Sequence, residues 1–274
     1  MERISSRQNP VVKRFREAAQ GAGTEWMLLD GEHLIGEALA SGLPIDLVAA
    51  TEPLAGGRLA PVMDRVRHEG GKAIVVNEQV LAAISPVRQP SGVVALAPRR
   101  SGTIDDVLER RPPLVLMLCD VQDPGNVGAI VRAAEACGAT GLVTGEGTAD
   151  PFGWKALRGG MGSTFRLPIA AKTSLPDVVR RSRDEGLRVF ATMARDGTPL
   201  PECDLRGGVA ILLGGEGAGL PEDLARAADE RITIPMHRPV ESLNVAIAAA
   251  LIVYEADRQR HAAGVHAGVH DLRS

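Results

Sequence analysis

Apolar residues in this chain come in short compact runs, separated by polar stretches with helical spacing. Trp26 to Leu29, Leu47 to Ala50, Ala73 to Val76 and Val93 to Leu96 are bounded by polar or glycine residues, as short strands are. Between them, His33 to Ala40 sets Leu34, Ala38 and Leu39 on one helical face. Leu59 to His68 puts Val62 and Val66 one turn apart, and Glu78 to Ile84 is a short helix. Strands alternating with short helices predict a small α/β domain over residues 1–97. His33 follows Glu32 directly, and helical neighbours face different ways, so His33 is read as structural.

The pattern breaks at Ala97 to Pro113, where charge pairs, Gly102 and Pro112–Pro113 predict a linker, residues 98–113, with one helical turn at most. A second α/β region, residues 114–260, follows. Its expected strands are Leu114 to Leu118, Gly141 to Val143, Arg188 to Ala191, Val209 to Leu213 and Ile232 to Ile234. Its expected helices are Ala129 to Cys137, Leu175 to Glu185, Glu222 to Ala228 and Leu243 to Arg260. Hairpin signals are few, so a mainly parallel sheet is predicted. Ser242 is the expected cap of the last helix, whose apolar surface from Val245 to Tyr254 runs nearly all round. Residues 261–274, with the repeated AGVH, are expected to be a disordered tail. Its His261, His266 and His270 come with no arranged carboxylate or cysteine, so no metal is expected.

Composition narrows the classes. With 45% hydrophobic and 24% charged residues over 274 positions, the chain is an ordinary globular one. Aromatics are only 3%, so Val, Ile, Leu and Ala must fill the core, as in a parallel sheet covered by helices. A net charge of -3 requires any nucleic-acid contact to come from a local basic patch. Met1 to Arg16 is locally basic, and reads either as a solvated first helix or as a phosphate-contacting arm. Cys119, Cys137 and Cys203 form no CxxC or zinc spacing and are expected as small buried apolar residues. There is no apolar signal core and no run of membrane-spanning length, so no membrane partner and a cytoplasmic location are expected.

Three polar corners follow strands in the second region. Asp120 to Arg132, DVQDPGNVGAIVR, sets Asn126 and Arg132 beside a glycine turn, with Ile130, Ala133, Ala134 and Cys137 as the expected buried stripe. Gly214 to Gly219, GGEGAG, holds Glu216 inside a glycine loop, where an acid opposes phosphate binding. Ile232 to Asn244 runs from a strand through Pro235 and Met236 to Ser242 and Asn244. Neither glycine loop completes GxGxxG, which disfavours a dinucleotide-dependent oxidoreductase.

The order of these corners carries a resemblance. Asn126-Val-Gly-Ala-Ile-Val-Arg132, Leu213-Gly-Gly-Glu-Gly-Ala-Gly219, and Ile234-Pro-Met236 with Ser242-Leu-Asn-Val-Ala246 resemble the motifs of the SpoU/TrmH family of RNA 2′-O-methyltransferases, within the SPOUT superfamily. The likeness spans residues 112–260. Leu29-Asp-Gly-Glu-His33 and Gly92-Val-Val-Ala-Leu96 resemble the small substrate-binding α/β domain that often precedes the catalytic one. Ala246 departs from a frequent second serine, and Gly159–Gly160 depart from a usual Ala-Ser.

The resemblance implies a SPOUT domain with a deep trefoil knot, a homodimer, and S-adenosylmethionine bound in the knot. It implies cofactor contacts at Thr192, Met193, Gly214, Ile234, Met236 and Leu243, and a catalytic group of Asn126, Arg132, Glu216, Ser242 and Asn244. Glu216 is expected to hold Arg132 or its own loop. RNA contacts are expected at Arg7, Lys13, Arg14, Arg158, Arg166 and Arg238. No metal is required. Large-subunit (23S) ribosomal RNA is the expected substrate; transfer RNA and a non-catalytic RNA-binding homologue are the alternatives.

Overall fold

The computed structural model describes residues 1–21, 25–217 and 219–265. They divide into two compact units, Met1–Arg100 with Asp150–Arg166, and Ser101–Ala149 with Leu167–Ser274. The first hundred residues run β1 (Glu2–Ile4), α1 (Pro10–Gln20), β2 (Trp26–Asp30), α2 (Glu32–Ala40), β3 (Leu47–Thr51), α3 (Glu52–Ala55), α4 (Ala60–His68), β4 (Lys72–Val76), α5 (Glu78–Ile84) and β5 (Val93–Pro98). The five strands lie in the order β1-β4-β3-β5-β2, with β5 antiparallel to both neighbours. Phe15, Leu28, Leu47, Ile74 and Leu96 share one apolar core beneath this sheet.

The first residues are not simply a helix. Glu2–Ile4 pairs in parallel with Ile74–Val76, and Ile4 is buried in the core. The helix starts only at Pro10, where the proline sits at N1 and the Asn9 side chain accepts from Val11 N.

The chain then continues α6 (Ile104–Leu108), β6 (Leu114–Cys119), α7 (Pro124–Ala136), β7 (Gly141–Gly145), α8 (Trp154–Gly160), β8 (Ile169–Thr173), α9 (Leu175–Asp184), β9 (Arg188–Thr192), β10 (Thr198–Pro199), β11 (Val209–Gly214), α10 (Glu222–Ala227), β12 (Glu230–Thr233) and α11 (Val245–Ala262). Helix α8 belongs with the first unit, against β2. There Arg99 grips Asp150 with two bonds, at 2.8 and 2.6 Å, and stacks over Phe152 at 4.7 Å.

The second unit is built on seven strands in the order β10-β12-β9-β11-β6-β7-β8, parallel throughout. Helices cover it, so the central strands are apolar on both faces, and Leu114–Leu118 is buried at every position. Strands β11 and β6 pair from Val209↔Leu114 to Gly214↔Cys119, so both end at the same level.

Several boundaries differ from the pattern reading, for local reasons. Helix α7 starts at Pro124 rather than Ala129, because Asp123 caps it by accepting from Gly125 N and Asn126 N. Its buried stripe is therefore Val127, Ile130, Val131 and Ala134, while Ala133 and Cys137 are half-buried. Helix α11 starts at Val245, and its cap is Asn244, not Ser242. It continues through Ala262, beyond the expected start of the tail; residues 266–274, with His266 and His270, lie outside the described residues. Strand β8 and helix α8 were not legible as periodic runs.

Val245, Ala249, Ile252, Val253 and Ala256 of α11 are buried, whereas Ile247, Leu251 and Tyr254 stand 53%, 41% and 62% exposed along one side. Near its end, buried Arg260 donates to the carbonyls of Pro112, Pro113, Leu205 and Gly207. Burial lowers this guanidinium to about 10, so it stays charged at neutral pH.

Candidate active site

Strands β12, β9, β11 and β6 are consecutive in the second sheet and parallel, so their carboxyl ends open on one edge. That edge is where open parallel sheets hold ligands. A cavity of about 460 Å³ lies there, within the size range of small-molecule sites. Thr192 and Met193 after β9, Gly214 at the end of β11, Ile234 and Met236 after β12, and Leu243 before α11 all line it. Glu216, Ser242 and Asn244 line it as well.

The pattern reading missed the floor of this cavity. Leu213 and Ile232 contribute from the strands, and Val245, Ala248 and Ile252 from one face of α11. The signal was present: positions 245, 248 and 252 recur at helical spacing. It could not be separated from ordinary core packing.

Gly214 shows why glycine stands at the turn. A Cβ there would come within 2.3 Å of the Gly219 carbonyl carbon and 2.5 Å of Leu220 N. The loop folds back on the end of β11, with Gly219 N donating to Gly215 O at 3.3 Å, and no side chain fits between.

At the mouth, three side chains form a hydrogen-bonded cluster. Asn126 Nδ2 donates to Glu216 Oε1 at 2.5 Å. Asn244 Nδ2 donates to Asn126 Oδ1 at 3.1 Å and to Glu216 Oε1 at 3.2 Å. Asn244 Oδ1 in turn accepts from Ala246 N and Ile247 N, at 2.9 and 3.3 Å. The amide is thus oriented from both ends, and Glu216 receives donors from two separate corners.

Arg132 is not in this cluster. With α7 beginning at Pro124, it sits in the third turn, about 9 Å along the axis from Asn126. It is exposed and makes no hydrogen bond or ion pair among the described residues. Glu216, expected to hold Arg132 or its own loop, accepts from the two asparagines and not from Arg132. Ser242 lines the cavity and is exposed, without a capping bond.

The expected RNA-contact residues are dispersed. In the first unit Arg7 Nε donates to Gln79 O at 3.1 Å, Lys13 pairs with Glu17 at 3.6 Å and Arg166 with Glu37 at 2.6 Å. Arg14 bonds Asp46 at 2.7 Å and lies 5.2 Å over the Trp26 ring. Arg158 is exposed on α8. In the second unit Arg238 is exposed on the loop after β12. The Lys13–Glu17 pair is exposed, and such a pair contributes little stability.

Cys119, beside the first corner, has its thiol pushed up by burial, then by Asp120 and Asp223, so it is a poor nucleophile. Among the described residues no three His, Cys, Asp or Glu side chains converge on a metal position. No described helix is long and apolar enough to cross a membrane.

A parallel sheet with a largely apolar, glycine-turned cavity at its carboxyl edge, and an amide–carboxylate cluster beside it, defines an α/β protein with room for an organic ligand next to a polar cluster. Comparison with known proteins supplies the rest. The SpoU rRNA methylase family matches residues 113–254, and the MRM3-like substrate binding domain matches residues 9–95. The chain belongs to the SpoU rRNA methylase family. The 23S rRNA (guanosine(2553)-2′-O)-methyltransferase RlmP of Bacillus subtilis is 31% identical, over 93% of this chain and 98% of its own. A crystal structure of an AdoMet-bound rRNA methyltransferase from Sinorhizobium meliloti superposes with a TM-score of 0.83 at 32% identity, over 94% of this chain and 97% of that one. The SpoU methyltransferase AviRb of Streptomyces viridochromogenes, in complex with AdoMet, gives a TM-score of 0.83 at 26% identity, over 93% and 99%.

Proposed function

We propose that this protein transfers a methyl group from S-adenosylmethionine to a ribose 2′-hydroxyl of 23S ribosomal RNA, acting as a homodimer in the cytoplasm. The observation that carries the reading is the Asn126–Glu216–Asn244 cluster at the mouth of a cavity suited to an adenosyl group. RlmP, similar over nearly the whole of both chains, is named for the same chemistry on 23S rRNA. The proposal includes the trefoil knot expected from the family.

The cavity fits the cofactor by its own features. Ile234, Met236, Leu243 and Ile252 offer apolar surface for a purine, and the Gly214 turn brings backbone close. When bound, S-adenosylmethionine would supply a sulfonium methyl for transfer to the ribose oxygen, with the neutral thioether as leaving group and the hydroxyl proton taken up by a base or water.

The residues have separable tasks in this reading. Thr192 and Met193 flank the adenosyl group on the β9 side. Glu216 and the two asparagines lock the first and third corners together, so that the Asn126 amide faces the ribose in a fixed orientation. Ser242 donates near the ribose. Arg132 is a cation with no carboxylate partner among the described residues; it stabilises the alkoxide that develops at O2′ and an adjacent phosphate. A guanidinium holds its proton firmly and is a poor proton acceptor. Arg7, Lys13, Arg14, Arg158, Arg166 and Arg238 contribute phosphate contacts.

A homodimer accounts for Ile247, Leu251 and Tyr254, an exposed apolar strip on α11. The test of the reaction is to map ribose methylation across total RNA from cells with and without the gene. One 23S site lost on deletion supports the reading; a loss confined to transfer RNA overturns its substrate.

A further inference from the structure

Asp120 is one of four non-glycine residues with positive φ among those described, at +56°. Left-handed backbone is unfavourable for L-residues, and Asp and Asn tolerate it better than most. Such an outlier persists only where the surroundings hold it.

Its surroundings are the second corner. Gly215 N donates to Cys119 O at 2.8 Å, extending the β11–β6 ladder to its last rung. The chain then turns at Asp120, and the Asp120 carbonyl oxygen comes over Gly215 so closely that a Cβ on Gly215 would lie 1.9 Å from it. On the other side, the Asp120 carboxylate lies where a Cβ on Gly147 would meet it at 2.6 Å. Gln122 Nε2 donates to Asp120 Oδ1 at 3.1 Å. Beyond the turn, Val121 is buried and its carbonyl accepts from Ala149 N at 2.9 Å.

Two contacts therefore join the first corner to the second. One is backbone on backbone, Asp120 over Gly215. The other is side chain on side chain, Asn126 to Glu216, the residue after Gly215. An extended residue at 120 would carry the chain along the strand axis and away from Gly215. The 2.5 Å bond between Asn126 and Glu216 would then have no fixed span to close.

We propose that Asp120 is a positioning residue, whose left-handed backbone sets the first corner against the glycine loop and so fixes Asn126 on Glu216. The proposal rests on the assignment of Asn126 and Glu216 to the catalytic group. It attributes the effect to the backbone conformation rather than to the carboxylate.

The test compares Asp120→Val with Asp120→Asn and Asp120→Gly in the full-length enzyme, with Asn126→Ala alongside. Valine, branched at Cβ, resists positive φ, whereas Asn, which matches Asp in shape, and Gly accept it. Asp120→Val is expected to lower kcat at least tenfold while KM for S-adenosylmethionine stays within about twofold. Asp120→Asn and Asp120→Gly are expected to keep kcat within about threefold. If Asp120→Val does not fold, Asp120→Ala takes its place with the same expectation at a smaller size. Loss of kcat in Asp120→Gly as deep as in Asp120→Val would overturn the proposal, because the side chain would then be what matters. Full activity in Asp120→Val beside an inactive Asn126→Ala would overturn the positioning role alone. Full activity in Asn126→Ala would instead remove the catalytic assignment beneath it.

Discussion

Asn244 caps α11 with its Oδ1 and donates to Glu216 Oε1, 3.2 Å away, with its Nδ2. One amide thus serves helix stability and site geometry at once. The two tasks separate in Asn244→Asp. The carboxylate still accepts from Ala246 N and Ile247 N, and its charge suits a helix N-terminus. It can no longer donate, and it stands against Glu216. Asn244→Asp should therefore lose about 100-fold or more in single-turnover methyl transfer, in the range seen for lost positioning donors. Its melting temperature should stay within about 2 °C of wild type. Asn244→Ala should lose both, costing about 1 kcal/mol of stability as well. An active Asn244→Asp would show that the donated bonds are incidental.

Arg260 is a buried cation whose partners are neutral carbonyls. Its donors reach Pro112 O, Pro113 O, Leu205 O and Gly207 O, tying the stretch before β6, the stretch before β11 and the end of α11 together. Arg260→Ala leaves those acceptors without partners in a dry site. The expected cost is about 3 kcal/mol, or roughly 6–12 °C in melting temperature for a chain of this size. Arg260→Lys should recover part of it, since an ammonium cannot span four acceptors spread over two segments. Calorimetry on both variants reads this directly; an unchanged Arg260→Ala would mean water replaces the guanidinium.

The periodic apolar runs told most of the sheet. Leu114–Leu118 and Val209–Leu213 are continuous and apolar because helices cover both faces, and that pattern is readable without knowing the topology. Strand β8, Ile169–Thr173, was not readable, since its burial fades toward the exposed Lys172 at the sheet edge. The start of α7 was missed because Pro124 and Gly125 look like a loop; only the Asp123 cap turns them into a first turn. Ser242 looked like a cap by type, but Asn244 holds that place two residues on. The cluster at the mouth joins residues 126, 216 and 244. No local spacing relates them, so only their likeness to a known family brought them together before the fold did.

The exposed strip of α11 leads to a second measurement. Ile247, Leu251 and Tyr254 lie on one side of a helix whose opposite side is core, and apolar groups so aligned signal an interface. Leu251→Glu places a charge in the middle of that strip. Sedimentation should then find a species of one chain, 28.8 kDa, where the proposed wild-type homodimer would sediment as two. A wild-type protein that sediments as one chain at micromolar concentration would refute the homodimer.

Arg132 offers the sharpest separation of binding from chemistry. It neither lines the cavity nor bonds to the cluster, so cofactor affinity should not depend on it. Its proposed charge acts only on the developing alkoxide and a nearby phosphate. Arg132→Ala should therefore leave the dissociation constant for S-adenosylmethionine within about twofold, while methyl transfer falls by about a thousandfold, the scale of a removed charge-stabilising group. Arg132→Lys keeps the charge but loses the planar fork, and should recover only a small part of the rate. Calorimetric titration and single-turnover kinetics on the same preparations measure both quantities. A wild-type rate in Arg132→Ala would remove the arginine from the mechanism; a matching loss of cofactor affinity would move its role into the binding site.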